Sequence, residues 1–142
     1  MKSVLDTSVL VSALVESELF HRECKALVLA EPFGIYSHGL VETFNTMTSG
    51  KIRPRPSAAD VARVLRHSVR PRASILNLSE EDLLSSFDEA EARGVRGGAV
   101  FDYLHLVAAR RHGVPRLYTL NQRHFESFWR PGDPEIVHPT AG

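Results

Sequence analysis

Apolar residues along the chain fall into two kinds of block. Short runs, none longer than five residues, stand at positions 4–5, 33–37, 74–78 and 116–120. Between them lie longer stretches whose apolar residues recur three or four apart. The first kind predicts short buried strands and the second amphipathic helices. After the first strand, Asp6-Thr7-Ser8 interrupts the run with three small oxygen-bearing residues, and Val9, Leu10, Val11, Ala13 and Leu14 continue it as a helix. A second helix is predicted over 20–30, with Phe20, Cys24, Leu27 and Val28 facing inward and Pro32 stopping it. A third covers 39–49 and ends at Gly50, a helix-closing residue type. A proline-broken loop over 51–56 leads to Ser57-Ala58-Ala59-Asp60, which reads as the start of a helix carrying Val61, Val64 and Leu65. Ser79-Glu80-Glu81-Asp82 is a capping pattern that opens a helix to Ala92, closed by Gly94. Residues 99–112 are apolar nearly all round, and a last short strand is predicted at 135–138.

Strands alternating with helices of ten or more residues predict the α/β class: a short central parallel sheet with helices on both faces. The chain of 142 residues suits one domain, expected over 1–138, with 139–142 a disordered tail. One cysteine, Cys24, excludes an internal disulfide and fits a reducing compartment. No apolar run approaches a membrane span and no signal sequence is evident at the N-terminus, so a cytoplasmic protein without membrane contact is expected.

The formal net charge of +0 conceals a division. Between Lys51 and Arg72 seven basic residues face one acid, Asp60, whereas between Ser79 and Glu91 six acidic residues stand with no base. A local basic stripe binds phosphates even when the total is neutral; such a stripe is equally a solvated helix face.

Candidate chemistry lies in three isolated carboxylates. Asp6 is the only charged residue from Ser3 to Val15, Glu42 the only Asp, Glu, Lys or Arg from Phe33 to Gly50, and Asp102 the only one from Ala99 to Ala109. A lone carboxylate in apolar surroundings is costly unless it is paired, hydrogen-bonded or bound to a metal. Asp6 is placed at a strand end, and Glu42 and Asp102 near helix starts. In a parallel sheet those positions share one edge. Three carboxylates brought together there repel each other and suit a hard divalent cation, Mg²⁺ or Mn²⁺. The alternative is that each is separately a cap or an ion-pair partner. Ser8 is close enough to orient Asp6 or hold a metal-bound water, and Asn45 lies three residues after Glu42 on its helix face; each is a candidate weak ligand or, more simply, a structural hydrogen-bonder. Other chemistries lack their motifs: the chain has no phosphate-binding glycine loop, no nucleophile elbow and no His-Glu-x-x-His zinc spacing. The histidines at 67, 112 and 124 read as surface or structural residues.

Taken in order, Val4-Leu5-Asp6-Thr7-Ser8-Val9, Leu40-Val41-Glu42-Thr43-Phe44-Asn45, the stretch Val100-Phe101-Asp102-Tyr103-Leu104-His105 with its apolar continuation, and Thr119-Leu120-Asn121-Gln122-Arg123-His124-Phe125 resemble the four ordered motifs of PIN domains, in particular the VapC-type toxin ribonucleases of bacterial toxin–antitoxin pairs. The resemblance covers nearly the whole chain. It implies an Mg²⁺- or Mn²⁺-dependent RNA endonuclease, a homodimer, and a small VapB-like antitoxin that blocks the site. It also implies that Asp6, Glu42 and Asp102 are the catalytic acids, with Asp6 and Asp102 on the metal. The fourth acidic position of the family is occupied by Asn121, which offers a carbonyl oxygen without charge and puts a second metal in question. Lys51, Arg53 and Arg55 are then candidates for holding RNA phosphates. Two other readings compete: a PIN-like RNA- or protein-binding module impaired by Asn121, and a receiver-like domain phosphorylated on a strand-end Asp. The receiver reading lacks the acidic pair expected before that Asp.

Overall fold

The structure, a computed structural model, describes residues 1–141. Its elements are β1 (Ser3–Leu5), α1 (Thr7–Leu14), α2 (His21–Ala30), β2 (Phe33–Tyr36), α3 (Ser37–Thr48), α4 (Ala58–Val64), β3 (Ala73–Leu76), α5 (Glu80–Arg93), α6 (Ala99–Arg111), β4 (Arg116–Tyr118), α7 (Gln122–Phe128) and β5 (Glu135–Val137). Five strands form one sheet in the order β3-β2-β1-β4-β5, and all four pairings are parallel. The predicted α/β architecture is therefore what forms.

Side-chain alternation divides each strand between two cores. Val4, Tyr36, Leu76, Leu117 and Ile136 point to the face covered by α5, α6 and α7. Leu5, Phe33, Ile35, Ala73 and Tyr118 point to the opposite face, covered by α1 and α2. Cys24 belongs to this second core, where burial pushes its thiol up to about 12. In α6 every residue from Tyr103 to Ala109 is buried, as its all-round apolar sequence requires. A third, smaller cluster joins α1, α3 and α4 through Val11, Val15, Met47 and Val61.

Chain order makes one position special. From β1 the chain runs outward through β2 to β3, then returns to insert β4 on the other side of β1. The carboxyl ends of β1 and β4 thus flank a reversal of direction, where open α/β sheets bind ligands.

Three local differences from the sequence expectations bear on the site. Helix α3 begins at Ser37 rather than Gly39, so Glu42 lies in its second turn instead of near its start. Helix α4 does not run on regularly but passes into a π-turn over Leu65–Val69. Helix α7, absent from the sequence reading, occupies Gln122–Phe128 and buries Phe125 and Phe128 one turn apart. Of the expected tail, residues 139–141 form a turn in which the Ala141 N–H donates to the His138 carbonyl at 2.9 Å; Gly142 lies outside the described residues.

Candidate active site

Asp6 leaves β1 in an extended conformation and caps α1. The residue is 2% exposed, and both carboxylate oxygens accept hydrogen bonds. Oδ1 accepts from the Ser8 hydroxyl at 2.6 Å and the Val9 N–H at 3.1 Å, and Oδ2 accepts from the Thr119 hydroxyl at 2.6 Å. The cap reading of this residue is thus what forms. Burial raises the Asp6 pKa above the ordinary carboxylate range; the nearby His105 ring and the three hydrogen bonds oppose that without reversing it. Ser8 does orient Asp6, and it also accepts the Leu120 N–H at 3.1 Å. The Asn121 N–H donates to Thr119 Oγ1 at 2.9 Å. Residues 6–8 and 119–121 are thus laced together across the gap between β1 and β4.

Around this seam lies a cleft of about 380 Å³ whose walls include Asp6, Thr7, Ser8, Glu18, Thr46, Asp102 and Asn121. Asp6 and Asp102 share it, as expected, and Asn121 borders it at the N-cap of α7, with no capping hydrogen bond from its side chain. Glu42 stands apart. Its Oε1 accepts from the Thr7 hydroxyl at 3.0 Å and from His105 Nε2 at 2.7 Å, and it touches the cleft through Thr7. Burial pushes the Glu42 pKa up, but His105, Thr7 and the His38 ring outweigh it, so the net shift is downward. Asn45, expected beside Glu42, is exposed and absent from the cleft wall; a helix turn is 3.6 residues, and Thr46, at i+4, takes that place.

Asp102 has a partner that the sequence did not announce. His124, on α7, donates from Nδ1 to Asp102 Oδ2 at 2.7 Å. To the surface and structural readings of His124 the structure adds a specific contact: the residue is half-exposed, yet it is tied to Asp102. The missed α7 is the reason, since only that helix carries residue 124 back to α6. His105 was missed for a related reason. Its position three residues after Asp102 was visible, but its partner Glu42 is 63 residues away. Thr7 and Thr119 carried no signal beyond adjacency to the acidic motifs.

Lys51, Arg53 and Arg55 are exposed in the loop after α3. Arg55 is partly committed, its Nε donating to the Thr48 carbonyl at 2.9 Å. Arg53 lines a hollow with Val15, Met47 and Ile52, next along the same α1 and α3 walls that carry the cleft.

The cleft wall has carboxylates at Asp6, Glu18 and Asp102 and no Lys or Arg. An anionic group cannot enter such a cleft unless a cation offsets the repulsion. Among the described residues no three of His, Cys, Asp and Glu stand close enough to enclose an ion between them. The donor set nonetheless fits Mg²⁺ or Mn²⁺: hard oxygens from Asp6 and Asp102, an amide oxygen at Asn121, and space for water. Mg²⁺ usually retains several waters and takes only one or two protein carboxylates.

Comparison with known proteins agrees with this architecture. A family model for the PIN domain matches residues 3–128. Among solved structures, FitAcB from Neisseria gonorrhoeae superposes with a TM-score of 0.70 at 16% identity, covering 99% of this chain and 99% of its own. VapC20 of Mycobacterium tuberculosis, described as a sarcin–ricin loop cleaving toxin, gives 0.69 at 15% identity over 93% of this chain and 99% of its own. A toxin–antitoxin complex from Klebsiella pneumoniae gives 0.67 at 20% identity over 96% and 97%. No curated protein matches by sequence. The four ordered motifs, the parallel sheet with its β1–β4 reversal and the match over residues 3–128 agree: the chain belongs to the PIN domain family.

Proposed function

We propose that the chain is a metal-dependent endoribonuclease, the toxin of a toxin–antitoxin pair, working as a cytoplasmic homodimer and inhibited by a small VapB-like antitoxin. The observation that carries this reading is the acidic cleft at the β1–β4 reversal, where Asp6 and Asp102 meet in a domain whose family are nucleases. The solved neighbours support the reading: one is a sarcin–ricin loop cleaving toxin and another a toxin–antitoxin complex.

Bound Mg²⁺ or Mn²⁺ supplies Lewis acidity, lowering the pKa of water and offsetting phosphate charge. Asp6 and Asp102 would hold the ion, and the Asn121 amide would offer a further, uncharged oxygen. Ser8, Thr119 and the Val9 N–H keep the Asp6 carboxylate in one orientation, so its binding geometry is set before the ion arrives. His124 does the same for Asp102. Glu42 orients the attacking water. Attack on phosphorus in line expels the ribose 3′-oxygen and leaves a 5′-phosphate. Unpaired RNA is the expected substrate class, because its bases are accessible to a protein surface. Lys51, Arg53 and Arg55 contact backbone phosphates away from the acidic cleft.

The test is cleavage of a mixed RNA pool by purified protein with Mg²⁺, Mn²⁺ or EDTA, beside Asp102→Asn. Cuts that require the metal and drop at least about 100-fold in the variant are expected. A folded, antitoxin-free protein that cuts under none of these conditions would instead be the binding module, with Asn121 as the first residue to restore to Asp.

A further inference from the structure

His105 is the one side chain among the described residues with a buried polar atom left without a partner, its Nδ1. The ring is completely buried on α6, one turn beyond Asp102. Nε2 lies 2.7 Å from Glu42 Oε1 and 3.5 Å from Thr7 Oγ1. Tyr36 packs edge-on against the ring with centroids 5.6 Å apart. Gly39 backs it on the other side: a Cβ there would stand 3.1 Å from His105 Cε1, closer than side chains ordinarily pack. The ring is therefore held by shape, and its polar edge is aimed at one carboxylate oxygen.

Stranding a bare lone pair in an apolar pocket is less costly than stranding an N–H. The ring proton accordingly sits on Nε2 and is donated to Glu42. The hydroxyl of Thr7 reaches the same atom, Oε1, at 3.0 Å, and the nearest approach of His38 is also to Oε1. Every partner of the Glu42 carboxylate among the described residues converges on that oxygen, and Oε2 is left as its free acceptor.

We propose that His105 is a positioning residue for the reaction: with Thr7 it pins Glu42 Oε1, so that Oε2 is the oxygen that accepts from the attacking water, and Glu42 is kept off the metal. The proposal rests on the ribonuclease reading. It separates the role of Glu42 from that of Asp6 and Asp102, the proposed ion ligands.

Two substitutions test it together. His105→Leu fills the pocket but donates nothing, whereas the side-chain amide of His105→Gln presents a donor near the position of Nε2. Cleavage by His105→Leu should fall about 10- to 100-fold in kcat, the usual effect of removing a residue that orients an active-site group. Its KM for RNA and its Mn²⁺-induced rise in Tm should remain as in wild type. His105→Gln should recover most of the lost kcat, and adding Glu42→Gln to His105→Leu should cost little more. Equal loss in both His105 variants, or a lost Mn²⁺ response, would overturn the assignment and make His105 a packing residue or part of the metal shell. Imidazole ¹⁵N spectra give a reading independent of activity. A protected Nε2–H that changes environment in Glu42→Gln is expected, and an Nδ1–H tautomer would refute the pairing. If wild type cleaves no RNA at all, the ribonuclease reading fails, and the pairing is judged on the spectra alone.

Discussion

Asp6 and Glu42 are both carboxylates beside the same cleft, yet their surroundings shift them in opposite directions. Asp6 is raised, so the stability tied to its protonated form is complete below the unfolded carboxylate pKa and is lost as pH rises through the higher folded value. At neutral pH, without a cation, Asp6 thus opposes folding. Asp6→Asn should melt higher than wild type in EDTA and should lose the Tm rise that millimolar Mn²⁺ gives wild type. A variant that keeps the Mn²⁺ response would remove Asp6 from the proposed metal site, and one that melts lower in EDTA would show that the three hydrogen bonds to its carboxylate outweigh the burial penalty. Glu42 is lowered, so its contribution is present above the unfolded pKa and disappears as pH falls through the folded value. Acid-side loss of stability should therefore be shallower in Glu42→Gln. The three acids stand out in the sequence because each is alone in an apolar stretch, but only Asp6 and Asp102 line the cleft and Glu42 stands apart. Their partners were not legible: His105 and His124 reach them only through tertiary packing, which periodicity does not encode.

Elements with strong end signals were read correctly, and α5 shows why. Ser79 accepts the Asp82 N–H at 3.0 Å while Asp82 accepts the Ser79 N–H at 3.1 Å, and Gly94 closes the helix at φ 73°. Ser79→Ala should lower unfolding stability by about 1 kcal/mol, roughly 2–4 °C in Tm for a chain of this size, as measured by thermal melts. Gly94→Ala is expected to act in the same direction, because a side chain is strained in the left-handed region. Helix α7 illustrates the converse. It is seven residues long, has no side-chain cap, and carries only two buried residues in an otherwise polar run. Its existence is decided by Phe125 and Phe128 packing beside Tyr103, a contact made across the fold. Missing it hid the role of His124.

Over the whole molecule, charge is sorted rather than absent. The net total of +0 combines an acidic cleft with a basic loop at positions 51, 53 and 55. If those three residues hold RNA phosphates, replacing them together with Ala in an Asp102→Asn background should weaken RNA binding roughly equally for all sequences. It should also flatten the dependence of log K on log salt by about 0.7 for each lost contact. An unchanged slope would place the RNA elsewhere. The sheet order was not legible from the pattern of strands, because alternation fixes the class of a sheet and not the sequence in which strands join it. That order carries a consequence for biosynthesis. One of the two hydroxyls that hold Asp6 belongs to a residue 113 positions later, just past a strand that slots beside β1 after most of the chain is made. Until β4 has left the ribosome, β1 has an open edge and Asp6 lacks Thr119 and Asn121. A chain with this topology is born without its cleft, so a cell translating it meets the proposed hydrolytic centre only once synthesis of the domain is nearly finished.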